Sequence, residues 1–271
     1  MEKHFELTDE TIEVDGKTLH RIRCTRDCKW ANAGDLGGFI EKEDNLSDNA
    51  WVADNARVYG DARVYGNAWV ADNARVYDNA RVYGNAWVYG DARVYGDARV
   101  SGDARVSGNA RVSDNAWVYG DAWVYGDARV SGNARLAGDA RVSGNAQVYG
   151  DAWVYGNARL AGDARVSGNA QVYGNAWVAD NARVSGNARL AGKARVAGND
   201  DHCGFDVFGS IGRHTHAYRT SDGGVEITCG CFHGDIEAFE AKVRHTHGDS
   251  QYAREYLAIA HVIRVKFGLA A

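Results

Sequence analysis

The last quarter of the chain crowds together side chains that could do chemistry: His202, His214, His216, His233, His245, His247 and His261 with Cys203, Cys229 and Cys231. Imidazole and thiolate are borderline and soft ligands, and four of them converging would hold zinc. The spacings "CGC" and "HTH" are not the C-x-x-C of a strong zinc signal, so zinc is one reading among three. A thiol beside an imidazole would also be a nucleophile pair, although nothing in the sequence shows one activating the other. The third reading is anion binding. The Gly-rich stretches "GSIGRHTH" and "CGCFHG" can form concave loops whose amides, with Arg213 and His214, hold a phosphate or nucleotide. Candidate ligand-binding residues are therefore Arg213, His214, His216, Cys229, Cys231 and His247, with no catalytic residue assigned and no cofactor expected beyond that zinc reading.

The elements that must position these groups differ sharply along the chain. Residues 199–271 read as a small α+β module. "FDVFGSIG", "HAYRTS" and "VEITCGCF" suggest short strands, "SDGG" a turn, and "DIEAFEAKVRHTH" and "SQYAREYLAIAHVIRVKF" two amphipathic helices. The second helix should bury Tyr252, Tyr256, Ala260 and Ile263. Before the module, residues 49–198 form 25 uninterrupted hexads of the pattern Asn/Asp, Ala, Arg/Trp/Gln, Val/Leu, Tyr/Ser/Ala, Gly/Asp. The second position is always Ala, and the first departs from Asn or Asp only at Lys193. In an extended chain Ala and Val point inward and the third and fifth positions outward, while the Gly/Asp-Asn/Asp pair makes a corner. Stacked copies would bury the apolar face and satisfy the backbone, which predicts a parallel β-solenoid.

The tryptophans set the size of one turn. Trp51, Trp69, Trp87, Trp123 and Trp177 lie multiples of 18 apart, and Trp117 and Trp153 differ by 36. A three-sided, 18-residue turn puts all seven on two faces and none on the third, whereas a two-sided or four-sided turn scatters them over every face, so about eight turns are expected. One face then carries a column from Arg57 to Arg183, which reads as a solvated face or a strip for an anionic partner. The five tryptophans of the second face, beside small fifth-position residues such as Ala71 and Ala179, suggest an apolar strip for self-association or for cover by the flanking regions. Residues 1–48 should cap the open sheet edges: residues 4–23 alternate like a hairpin turning at "VDGK", and Ile40 and Leu46 already fall on the Val register.

The chain has 271 residues and a net charge of −5, the array being slightly basic with 17 cations against 14 acids. That does not call for nucleic acid as a partner. No run suggests a signal peptide or a membrane span, and five cysteines do not look like a disulfide framework, so a cytoplasmic protein is expected.

The word "V-x-G-N-A-R" resembles the hexapeptide repeat of left-handed parallel β-helix proteins, and this resemblance implies the left hand and a tendency to trimers. "FELTDETIEVDGKTLHRIR", "GDLGGFIEKEDNLS" and the "CGCF" tail resemble repeat proteins of phages and prophages, which implies a host bacterial cytoplasm. Many hexapeptide proteins are acyltransferases or zinc enzymes that use His on the prism, but this array contains no His and no Cys, and it lacks the Thr columns of ice-binding faces. The expectation is a non-enzymatic, self-associating scaffold or binding protein. The first alternative is a counter-defence protein that sequesters a nucleotide signal or blocks a host protein, and the second is an enzyme, a hexapeptide-type acyltransferase or a cap-based hydrolase.

Overall fold

The computed structural model describes residues 3–270. Each hexad contributes a two-residue strand at its third and fourth positions, and each strand pairs in parallel with the strand 18 residues on, as Trp87 does with Trp69 and Arg105. Three parallel sheets result, so the prism has three sides. Every second-position Ala and fourth-position Val or Leu from Ala50 to Val196 is at most 1 % exposed. The core is thin, with small Ala alternating with Val or Leu, and the β-branched Val that predominates at the fourth position suits a narrow pleated interior. Ladder bonds such as Trp87 N to Ala104 O, 2.9 Å, and Tyr89 N to Val106 O, 3.0 Å, tie each coil to the next.

Nine coils are present where the hexads alone predict about eight. The first is built by β3 (Leu36–Ile40), which pairs in parallel with Arg57–Val58, and by Leu46, which bridges to Val64. β1 (Phe5–Val14) and β2 (Lys17–Cys24) form the expected hairpin, and Asp15 and Gly16 at its turn have φ of 51° and 77°. β2 pairs with β3, so the hairpin extends the Arg-bearing sheet and covers its edge. The "GG" before Phe39 is steric: a Cβ on Gly38 would sit 2.6 Å from the Ala56 carbonyl and one on Gly37 2.5 Å from that of Val52. Phe5, Ile22 and Ile40 close the core, and buried Asn45 donates to the carbonyls of Gly60 and Ala62.

The corner at the sixth position requires a left-handed backbone, and two residues meet that need in different ways. Gly90 has φ 72°, and a Cβ there would stand 2.9 Å from the Gly108 nitrogen. Asp72, in the same column at φ 57°, offsets the strain by accepting the Gly90 N–H with Oδ2 at 2.8 Å. Asp48, Asp54, Asp78 and Asp114 do the same for the coil above them.

The fifth position is not simply outward. Ala71, Ser101 and Ser107 are buried, because an indole from the following coil lies against this corner. Trp117 donates Nε1–H to Ser101 Oγ at 3.1 Å and Trp123 to Ser107 Oγ at 3.2 Å, both across 16 residues. All six array tryptophans after Trp51 follow an Ala or Ser by 16 residues, and none of the 11 fifth-position tyrosines is followed by Trp at that spacing. The pairing of Trp with small residues is therefore volume complementarity between coils. Ala71→Tyr, which drives a ring into the space of Trp87, should cost about 1–3 kcal/mol of stability. Ser131→Tyr, whose partner at that spacing is Gln147, should be nearly neutral in thermal denaturation. Equal losses from the two substitutions would remove this account.

Candidate functional site

The C-terminal module docks on the last coil as a four-stranded antiparallel sheet, His202–Phe208, Arg213–Arg219, Val225–Cys229 and Phe232–Gly234 in spatial order. Alternation along Arg213–Arg219 sends Ala217 toward α1 (Ile236–His247) and α2 (Gln251–Phe267) and Tyr218 into the end of the solenoid core. Thr228 Oγ1 donates to the Arg189 carbonyl at 3.0 Å, and Thr220 bridges Ala194. The helices are fixed by N-caps at Asp235 and Ser250 and by an Arg264–Glu240 pair at 2.9 Å. Tyr256, Ala260 and Ile263 are buried as expected, whereas Tyr252 stands 41 % exposed, one position beyond the face that meets the sheet.

This docking places the "CGC" turn beside Arg213. Gly230 has φ 60°, and a Cβ there would lie 2.7 Å from Arg213 Nη1, so the guanidinium lies directly across the turn. It borders two depressions. One, of about 90 Å³, is walled by Phe232, Phe239 and Tyr256, with Cys229, Cys231, Lys242 and His247 at its margin. The other, of about 220 Å³, is polar and runs down to Asn187 and Arg189 of the solenoid, with His214 and Thr228 on its wall. Arg189 donates to the Gly230 carbonyl at 3.0 Å, so two guanidiniums stand beside the turn. Burial, followed by the neighbouring Cys229 thiol, pushes the Tyr256 hydroxyl up to about 12. It stays a neutral donor, directed at the Phe208 carbonyl at 3.4 Å.

Of the six residues that sequence singled out, Arg213, Cys229, Cys231 and His247 meet at the first depression, and Arg213 and His214 at the second. His216 does not join them. It is 2 % exposed in a line of imidazoles beneath the sheet: Asp206 Oδ1 to His214 Nδ1 at 2.7 Å, His214 Nε2 to His216 Nδ1 at 3.3 Å, and His216 Nε2 to His202 Nδ1 at 3.2 Å. The facing nitrogens pair with each other instead of converging on one point, and His202 Nε2 at the end of the line is left buried without a partner among the described residues. Among the described residues, no group of three or more His, Cys, Asp or Glu side chains could hold a metal ion. Lys242, Phe232, Phe239 and Arg189 were not singled out from sequence, because each belongs to a helix, a strand or a repeat whose ordinary pattern explains it.

The tryptophan face is less open than its column suggests. Trp51 is 2 % exposed beneath the N-terminal segment, with the His4 ring 5.9 Å away. Trp30 packs on Trp69 and Trp87 at 6.3 and 5.6 Å. Flanking cover therefore takes the first three of the residues expected to self-associate. Trp123 and Trp177 remain, separated by Arg141 and Arg159, which leaves no continuous apolar strip.

Segments of the array at residues 56–72, 74–90, 92–108, 104–120, 140–156, 146–162, 164–180 and 170–186 match the YdcK β-solenoid repeat. No curated protein matches the chain. Among solved structures, the chain is similar to LpxA, a UDP-N-acetylglucosamine acyltransferase from Bacteroides fragilis, at 12 % identity over 83 % of this chain and 89 % of that one. The TM-score is 0.29.

The line of imidazoles makes the module sensitive to acid. Burial, and then the charge of Lys266, lowers His202, while burial and the two flanking histidines hold His216 well below its ordinary 6.5. Below about pH 6.5 the unfolded chain takes up protons that the folded module refuses, so stability is complete above that pH and lost as pH falls. Thermal unfolding at pH 5.5 should therefore begin lower than at pH 7.5. His216→Gln should flatten that dependence, and an unchanged slope would count against a buried neutral line. By its coils and by the repeat they match, the chain is a β-solenoid repeat protein.

Proposed function

We propose that this is a non-enzymatic binding protein whose solenoid serves as a rigid mount and whose C-terminal module takes a small anionic ligand at Arg213. The single observation behind this reading is the position of that guanidinium across the Gly230 turn, between an aromatic depression and a polar one. Arg213 and Arg189 offer planar donors suited to phosphate or carboxylate, with Lys242 adding charge at the far margin. Phe232, Phe239 and Tyr256 offer an apolar wall on which a flat group can rest. A ligand with both parts, such as a nucleotide, fits the pair better than either depression alone.

Two features support binding over catalysis. The imidazole nitrogens of His214 and His216 are engaged with each other and with Asp206, and His247 stacks on Tyr256 at 5.6 Å. The solenoid itself carries no imidazole or thiol in its repeats. The resemblance to phage and prophage repeat proteins agrees with a sequestering role, in which holding the ligand is the whole task.

Calorimetry and thermal shift against cyclic dinucleotides, mononucleotides and ADP-ribose would test the reading. At least one should stabilise the module, and Arg213→Gln should weaken that compound about ten-fold, the effect of losing one charge-assisted hydrogen bond. Absence of heat and of any shift across the panel would overturn the proposal.

A further inference from the structure

We infer that the last three coils of the tryptophan face form a second anion site, for a phosphate monoester, where the solenoid meets the C-terminal module. This site is independent of Arg213. Its first sign is the break in the repeat at Lys193, where 24 of 25 hexads have Asn or Asp. Those residues normally stack: Asn157 Nδ2 donates to Asn175 Oδ1 at 3.1 Å. At the next step the ladder meets an ammonium, so the Asn175 amide has no side-chain acceptor on the coil that follows. A position that elsewhere ties coil to coil is here cationic.

The surroundings are complementary to an anion. A groove of about 390 Å³ lies between Arg159, Trp177, Lys193, Arg195 and Ser221, and no carboxylate lines it. The Arg195 guanidinium lies over the Trp177 ring at 4.4 Å, which fixes its plane and leaves its N–H edges free to donate. Arg159 and Arg195 form no ion pair among the described residues. Lys193 touches Asp222 at 3.4 Å, but both side chains are mostly exposed, and such a contact is weak enough to open for a better partner. Three cations suit a doubly charged phosphate. The groove is larger than that group needs, and the indole with the Asn157–Asn175 amides can receive the remainder of the ester.

Lys193 also has a simpler role open to it, as a staple to the Thr220–Gly224 turn, and the experiment must separate the two. The repeat supplies suitable substitutions. Lys193→Asn, Arg159→Gln and Trp177→Arg each install a residue that occupies the same hexad position elsewhere in the array, so the coils should keep their fold. Full-length protein labelled with 15N in its tryptophans would be titrated with inorganic phosphate, ribose 5-phosphate and AMP. The indole resonance missing in Trp177→Arg identifies Trp177. One or both esters should move that resonance and bind more tightly than phosphate. Lys193→Asn and Arg159→Gln should each weaken the response about ten-fold. Asp222→Asn, which would break a staple equally well, should preserve or strengthen it, and Arg213→Gln should leave it unchanged. A Trp177 resonance that does not move with either ester at millimolar concentration would overturn the site. Phosphate binding as tightly as both esters would overturn the ester assignment, and equal losses from Lys193→Asn and Asp222→Asn would leave only the staple.

Discussion

In-register stacking at 18 residues is the constraint on which the rest of this protein depends. Each coil donates and accepts its backbone hydrogen bonds through the coils above and below, so every residue lies about 4.8 Å from its counterpart one turn away. A side chain is therefore selected for its fit to its own column as much as for its place in the hexad. The left-handed corners accept Gly, or Asp able to bond the next coil's N–H, and the Asn columns form amide ladders as Asn115 does with Asn133. After Trp51, every array Trp stands above a small corner residue. These are local rules with a range of one turn, and they explain how the chain can repeat so plainly while its faces differ.

The same constraint makes the two ends the difficult places, because a stacked coil has no partner beyond the last turn. The N-terminus answers by continuing one sheet sideways into β2 and β1 and by inserting Phe5 and Ile22 into the core. Its stretch around Trp30 then folds down over the first tryptophans. The C-terminus answers with a separate sheet that lays Tyr218 on the end of the core and aligns Thr228 and Thr220 with the last coils. Both candidate binding sites lie at this second junction. That is where the repeat stops supplying its own neighbour and charged side chains from two different architectures come together.

Legibility followed the same division. One short strand per hexad, three faces, inward Ala and Val, the hairpin at "VDGK" and two terminal helices could all be read from the residues, because each rests on a spacing of 2, 6, 18 or about 3.6. The ninth coil was only half visible: Ile40 and Leu46 kept the register, but "GDLGGFIEKED" does not spell the hexad. The tryptophan column was visible as a column and not as a surface, since its cover by His4 and Trp30 is made by residues far away in sequence. The Trp-to-small pairing over 16 residues was present in the letters throughout, and it acquires meaning only when one coil is laid on the next.

For the module, composition marked the right neighbourhood and not the arrangement. Arg213, Cys229, Cys231 and His247 share one depression, while His216 lies buried in a line with His202 and His214, a difference set by strand alternation and by which sheet face meets the solenoid. The sequence by itself determined the repeat, the number of faces and the identity of every column, because these follow from periodicity and from contacts one coil apart. Only the tertiary structure decided which columns are covered and how Arg189, Arg213, Lys193 and Trp177 come to border cavities. Those outcomes depend on how two capping segments dock against the prism, and no periodic signal encodes the contact between unlike surfaces.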